Sequence, residues 1–243
     1  MRHDALFSLS LSKTSYPLIF CPFLNSVLAG ILDIARILQH GEFTAEQFQS
    51  MGMTIHESAE RMFRLMKNIL DENALESDKL RLNLLPIDVI MTARDTAQSF
   101  ALQSEVKNIY IVVEEPAKAL PKVLGDTSAV GQVLENLLSN AVKYSPFGKS
   151  VTIFCKNNEG SVKICVREEG LGLTDDDKDQ LFLKFERLSA QPTAGGHSTG
   201  LGLSIVKKLI AAMNGMVWCE SEFGKGATFV VELPAVDGVK TRI

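Results

Sequence analysis

The chain has 243 residues, longer than the commonest single domain, so one large domain or two modest ones are expected and a disulfide miniprotein is excluded. With 46% hydrophobic and 22% charged residues it can bury a core and is neither disordered nor collagen-like. A net charge of −4, from 25 basic and 29 acidic residues, supplies no global field for nucleic acid or an anionic membrane. Cys21, Cys155, Cys165 and Cys219 are scattered with no CxxC pair, which argues against a zinc site or disulfide framework and fits a reducing cytoplasm.

The stretch from Thr14 to Leu32 lacks charge and approaches membrane-spanning length. Pro17, Pro22, Asn25, Ser26 and Gly30 interrupt it, and the pattern continues to Asp33 and Arg36, so it is not expected to cross a bilayer. From Val27, Leu28, Ile31, Leu32, Ala35 and Leu38 recur at helical spacing, and His40-Gly41 supplies a stop. Thr44 to Gln47 reads as a capping box that starts a second helix, whose apolar face carries Ile55, Ala59, Met62, Met66, Ile69 and Leu70. A short turn makes the two helices an antiparallel hairpin, and its stripes cover each other poorly. A second copy would complete a four-helix bundle, which predicts a homodimer.

Beyond Asp78 strands and helices alternate. Strands are expected at Leu80–Ile87, Ile109–Val113 and Lys122–Gly125, and helices at Val89–Gln103 and Thr127–Tyr144. Val151–Lys156 and Val162–Arg167 should meet across the Asn157–Gly160 turn as a hairpin. Glu168 to Thr199 is too long for a plain connection and is read as a functional lid. A helix from Gly200 to Met213 and strands at Met216–Ser221 and Ala227–Leu233 finish the pattern. The fold class is α+β: a helical hairpin at residues 25–77, then a mixed sheet with helices on one face at residues 78–238.

Four segments carry candidate chemistry. Asn136, Asn140 and Lys143 fall at i, i+4 and i+7 on one helix face, and two amide oxygens with an ammonium suit a hydrated Mg²⁺ and phosphates. Glu168-Glu-Gly-Leu-Gly172 follows a strand, where Gly170 and Gly172 let backbone approach a ligand and the carboxylate can accept from an exocyclic amine. Phe182 to Phe185 with Arg187 is the third. Gly200-Leu201-Gly202-Leu203 opens a helix whose free amides favour phosphate.

In order and context these segments resemble the N, G1, F and G2 boxes of the Bergerat-type ATP-binding fold of gyrase, Hsp90, MutL and histidine kinases. The likeness runs from about Leu80 to Pro234 and includes Gly224 to Phe229. Hydrolytic members place a water-activating Glu where this chain has Asn136. Histidine kinases have Asn there, and the helical hairpin resembles their dimerisation and phosphotransfer domain. The resemblance implies a sensor histidine kinase core of a two-component system, with ATP and Mg²⁺ bound, a response-regulator receiver domain as partner, and a membrane only if a sensor region lies outside this chain. It implies that Asn140 and Asn136 hold Mg²⁺, Lys143 touches phosphate, Tyr144 walls the adenine and Glu168 accepts its amino group. Thr228 would join that polar network, Gly170, Gly172, Gly200, Leu201 and Gly202 would shape pocket and lid, and Arg187 would reach the γ-phosphate.

The chain departs from the family twice. Glu168 stands where the family has Asp, one methylene longer. The phospho-accepting His expected early in helix one is missing: matching registers put Pro22 or Leu18 there, and no His occurs between His3 and His40. His40 sits in the hairpin turn and His197 in the lid. His56, roughly 7 to 8 Å along the bundle axis from residue 22 at 1.5 Å per residue, is the remaining candidate acceptor. The alternative is a pseudokinase or truncated kinase that binds ATP and dimerises without autophosphorylation. Residues 1–24, rich in Ser, Leu, Phe and Pro, read as foreign to the ancestral start of the domain, through truncation, a misplaced start or a frameshift. An intact, expressed reading frame upstream of the Asn25 codon would sink that hypothesis.

Overall fold

The structure, a computed structural model, describes residues 16–41, 43–76, 82–184, 186, 192–193 and 200–236. The chain divides into two compact units, residues 1–70 and 71–243.

The first unit is built from α1 (Tyr16–His40) and α2 (Ala45–Glu76), whose last residues pass the unit boundary. Thr44 and Gln47 form the expected reciprocal cap: the Gln47 amide donates to Thr44 Oγ1 at 3.3 Å and the Thr44 amide to Gln47 Oε1 at 3.0 Å. Helix α1 corrects one expectation, because it starts at Tyr16 and runs through Pro17 and Pro22. Proline is tolerated in the first turn, whose amides have no intrahelical partner, so Pro17 needs no break. Among the described residues no helix is long and apolar enough to cross a membrane. Val27 is buried, but Leu28, Leu32 and Ile37 on α1 and Phe48, Met53, Phe63 and Met66 on α2 stay 44% to 65% exposed. The hairpin thus leaves Leu28, Leu32 and Met66 of its apolar stripes uncovered, together with large apolar residues beside them.

The second unit holds β1 (Leu85–Ile87), α3 (Val89–Ser99), α4 (Ala101–Glu105), β2 (Tyr110–Val113), β3 (Val123–Gly125) and α5 (Thr127–Tyr144). Then come β4 (Ser150–Asn158), β5 (Ser161–Glu168), α6 (Asp175–Gln180), α7 (Gly202–Ala212), β6 (Met216–Ser221) and β7 (Ala227–Pro234). Five strands form one sheet in the order β2-β4-β5-β7-β6, parallel only between β2 and β4, while β1 and β3 pair separately. Helices α3, α5 and α7 pack together, and α5 lies on β4 and β5. Burial alternates along β4, so Val151, Ile153 and Cys155 face the helices. The opposite face carries Phe154, flanked by Lys156 and Arg167, and Trp218 beneath Lys163, with cations 5.0 to 5.2 Å from the rings.

Two local outcomes differ from the sequence pattern. The single helix expected over Val89–Gln103 breaks at the buried Phe100. Thr96 Oγ1 donates back to the Thr92 carbonyl and Ser99 Oγ to the Thr96 carbonyl just before the break, and such bonds compete with a regular helix. The 169–199 connection contains α6, started by a capping box between Thr174 and Asp177.

Helix α5 supplies the centre of the core: Val133, Leu134, Leu137 and Leu138 are each at most 1% exposed. Leu137→Ala is expected to cost about 3 kcal/mol of unfolding free energy. Urea denaturation measures this, and the loss should appear as a lower midpoint at unchanged slope.

Candidate functional site

The apolar stripe of α5 fixes which side the helix turns to the sheet, and so which side is left for chemistry. Asn136, Asn140 and Lys143 lie along its margin, all half-buried. Asn136 Nδ2 donates to the Gln132 carbonyl at 2.9 Å, which leaves its Oδ1 as an acceptor. That oxygen stands against the first residue of α7, since a Cβ placed on Gly202 would come within 2.7 Å of it. Helix α7 begins without a side-chain cap, because Leu201, fully buried, occupies the N-cap position. Among the described residues no side chain caps its first amides, which can meet a ligand or water.

At the other end of α5, Tyr144 meets the segment after β5. Gly170 lies so close to the Tyr144 carbonyl and the Glu168 carboxylate that a Cβ there would stand 3.0 Å from the first and closer still to the second. Gly172, at φ 70°, is pressed against the Glu222 and Gly226 carbonyls, where only glycine fits both the space and the backbone. Ser221 stitches this turn to the sheet, accepting from the Leu173 amide at 2.9 Å and donating to the Gly226 carbonyl at 2.7 Å. Lys143 Nζ lies 5.4 Å from the centre of the Tyr144 ring.

Glu168 is 6% exposed, and the Gly170 amide donates to its carboxylate. Burial pushes this carboxyl above its ordinary range, opposed by the Gly170 and Ala227 amides. Ser145 Oγ is fully buried beside it and lies outside hydrogen-bond geometry to any described neighbour. Burial also pushes the thiols of Cys155 and Cys219 up to about 12, which disfavours their thiolate forms.

The structure thus brings Asn136 to Gly202, and Tyr144 to Glu168 and Gly170. It does not bring Thr228 to Glu168. In the β5–β7 register Glu168 pairs with Ala227, while Thr228 pairs with Arg167 on the opposite face. Adjacent strand residues point to opposite faces, so the earlier placement of Thr228 beside the carboxylate is corrected. The period-2 alternation of β7 separates Thr228 from the face that Glu168 shares with Ala227, whereas no local pattern marks Ser145, Ser221 or Lys107 as part of the site. Gly200, at φ 68°, precedes α7. Arg187 and His197 lie outside the described residues. His40 and His56 are both exposed on the hairpin helices.

Residues 125–237 match the family described as Histidine kinase-, DNA gyrase B-, and HSP90-like ATPase. The aerobic respiration control sensor protein ArcB of Escherichia coli is 33% identical over 238 residues, covering 96% of this chain and 30% of ArcB. The sensor protein GacS of Pseudomonas syringae is 33% identical over 218 residues, 86% of this chain and 24% of GacS. Residues 125–237 thus carry an ATPase domain of that family, and nearly the whole chain is similar to sensor histidine kinases. The chain spans about a third or less of the length of these relatives. Among solved structures, full-length ShkA in complex with AMPPNP aligns at 30% identity with a TM-score of 0.65, covering 88% of this chain and 44% of ShkA. The histidine kinase ThkA, in complex with response regulator protein TrrA, shares the fold at 21% identity and a TM-score of 0.67, covering 92% of this chain and 63% of ThkA.

The raised carboxyl of Glu168 has a consequence for stability. Its native form favours the proton, so the stability it contributes is present below the ordinary value of 4.5 and is lost as pH rises through the native value. Glu168→Gln should therefore melt a few degrees above the parent chain at pH 7. The difference should close as pH falls towards 4.5, as followed by thermal denaturation across pH.

Proposed function

We propose that this chain takes Mg·ATP and transfers the γ-phosphoryl to a histidine, from which it passes to an aspartate of a response-regulator receiver domain. The observation that carries this reading is the meeting of the Asn136 amide oxygen with the uncapped start of α7, and of Tyr144 with the Glu168–Gly170 turn at the other end of the same helix. Asn140 and Asn136 would hold Mg²⁺ by their amide oxygens, and the Oδ1 of Asn136, which faces the start of α7, fits that task. The metal would neutralise phosphate charge and orient the triphosphate. Lys143 adds a cation to the phosphates, and Gly200, Leu201 and Gly202 present backbone to them. Arg187 is assigned the γ-phosphate.

At the base end, the Glu168 carboxylate accepts and the unpaired Ser145 hydroxyl can donate. An adenine edge offers the complementary pair, an amino donor and a ring-nitrogen acceptor. Tyr144 walls the ring, and Gly170 and Gly172 keep the turn thin. Asn136, unlike a carboxylate, cannot serve as a general base towards water, which favours phosphoryl transfer over hydrolysis. In the transfer the bond from the γ-phosphorus to its bridging oxygen breaks, a phosphorus–nitrogen bond forms at the imidazole, and ADP leaves.

The exposed stripe on α1 and α2 supports a homodimer through residues 25–77, with residues 78–238 as the catalytic domain. The ThkA–TrrA complex supports a receiver-domain partner. A cytoplasmic location follows from the proposed phosphorelay. His56 is the candidate acceptor on this chain.

Incubation with γ-labelled ATP tests the reading. Acid-labile, base-stable label is expected on the protein and is expected to disappear in Asn140→Ala. Retained ATP binding without label would instead leave a nucleotide-binding dimer alone. Leu32→Glu, which puts a charge on the uncovered stripe, is expected to convert the dimer to a monomer in sedimentation equilibrium while ATP binding persists.

A further inference from the structure

Lys107 lies in the turn between α4 and β2 and has no counterpart in the chemistry assigned above. It is 5% exposed, unusual for a lysine. Its carbonyl accepts from the Gly148 amide at 3.0 Å, which pins this turn to the loop leaving α5. From there the ammonium reaches the end of α5. It donates to the Val142 carbonyl at 2.6 Å, the Ser145 carbonyl at 2.7 Å and, at a longer 3.1 Å, the Lys143 carbonyl. A fourth acceptor is Thr193 Oγ1 at 2.6 Å. The Phe147 ring stands 5.7 Å from Nζ.

These carbonyls belong to the end of α5, where helix carbonyls lack intrahelical donors and the dipole favours a cation. Three protons cannot serve four acceptors singly, and Thr193 makes up the difference. Its hydroxyl donates to the Ser145 carbonyl at 2.7 Å, and its amide to the Lys143 carbonyl at 3.2 Å. The cluster therefore closes around the turn that carries Lys143 and Tyr144. Burial lowers the proton affinity of the Lys107 amine, a cost that the carbonyl contacts offset.

We propose that Lys107 is a positioning residue for nucleotide binding: with Thr193 it clamps the last turn of α5 and so fixes Lys143 and Tyr144 against the ligand. It touches no substrate. Its effect passes through backbone carbonyls, so its removal lets the turn shift while the apolar stripe of α5 stays packed. The inference rests on the nucleotide reading above.

The test is a mutant cycle on the full chain, with the affinity for trinitrophenyl-ATP as readout. Lys107→Met is expected to weaken binding about tenfold, since small displacements of positioned groups carry losses of that order or more. In a background carrying both Lys143→Met and Tyr144→Leu the same substitution is expected to have much less effect, because both groups it positions are already gone. A general loosening of the fold would instead add its loss to that of the background. Unchanged affinity in Lys107→Met, or additive losses, overturns the proposal. Should Lys107→Met fail to fold, Thr193→Val decides, since Thr193 is exposed and its hydroxyl is the only group lost. A weaker affinity is expected there, and an unchanged one overturns the clamp. A parent chain that binds no nucleotide overturns the ATP reading itself, a failure seen before any variant is compared, and the clamp falls with it.

Discussion

The burial of α5 against the sheet is the constraint on which the rest of the second unit depends. Its stripe of Val130, Val133, Leu134, Leu137, Leu138, Ala141 and Val142 is almost wholly removed from water. That leaves the helix one rotational setting. The same setting puts Asn136 and Asn140 on the margin and directs the C-terminal turn, with Lys143 and Tyr144, at the segment after β5. Core and site are therefore two sides of one element, and the hydrophobic effect that stabilises the first also orients the second.

Polar groups buried around this helix carry the opposite cost. Glu168, Ser145 and Lys107 are all withdrawn from water. Lys107 is satisfied by carbonyls, Glu168 in part by amides, and the Ser145 hydroxyl by no described neighbour. Such incompletely satisfied polar groups destabilise a fold unless a ligand or water completes them. Here they cluster at the end of α5 that the nucleotide reading assigns to the base. The hairpin shows a cost of a different kind: a two-helix unit has too little surface to cover both of its stripes, and the uncovered residues are the argument for a second copy.

Much of this was legible from residue patterns. The stripe of α5 gave Thr127–Tyr144 as a helix with those same bounds. The Thr44 to Gln47 box formed as the residue types require. The break at Phe100 was not legible, because it turns on local hydroxyl bonds competing with regular structure, whereas α6 was missed although its Thr174–Asp177 capping box is marked in the residue types. The passage of α1 through Pro22 was missed for the reason that local propensity is a weak prior within a long helix.

The amino-acid sequence by itself determined most of the order of elements and the residue types on each helix face, since these follow from periodicity and spacing along one chain, and its motifs carried the resemblance to the family. Tertiary structure alone decided which distant residues meet. Asn136 lies against Gly202, Ala227 and not Thr228 stands opposite Glu168, and Lys107 reaches carbonyls 35 to 38 positions away. Those pairings depend on strand register and on the depth to which a side chain is buried, and both are set by packing between elements far apart in the chain.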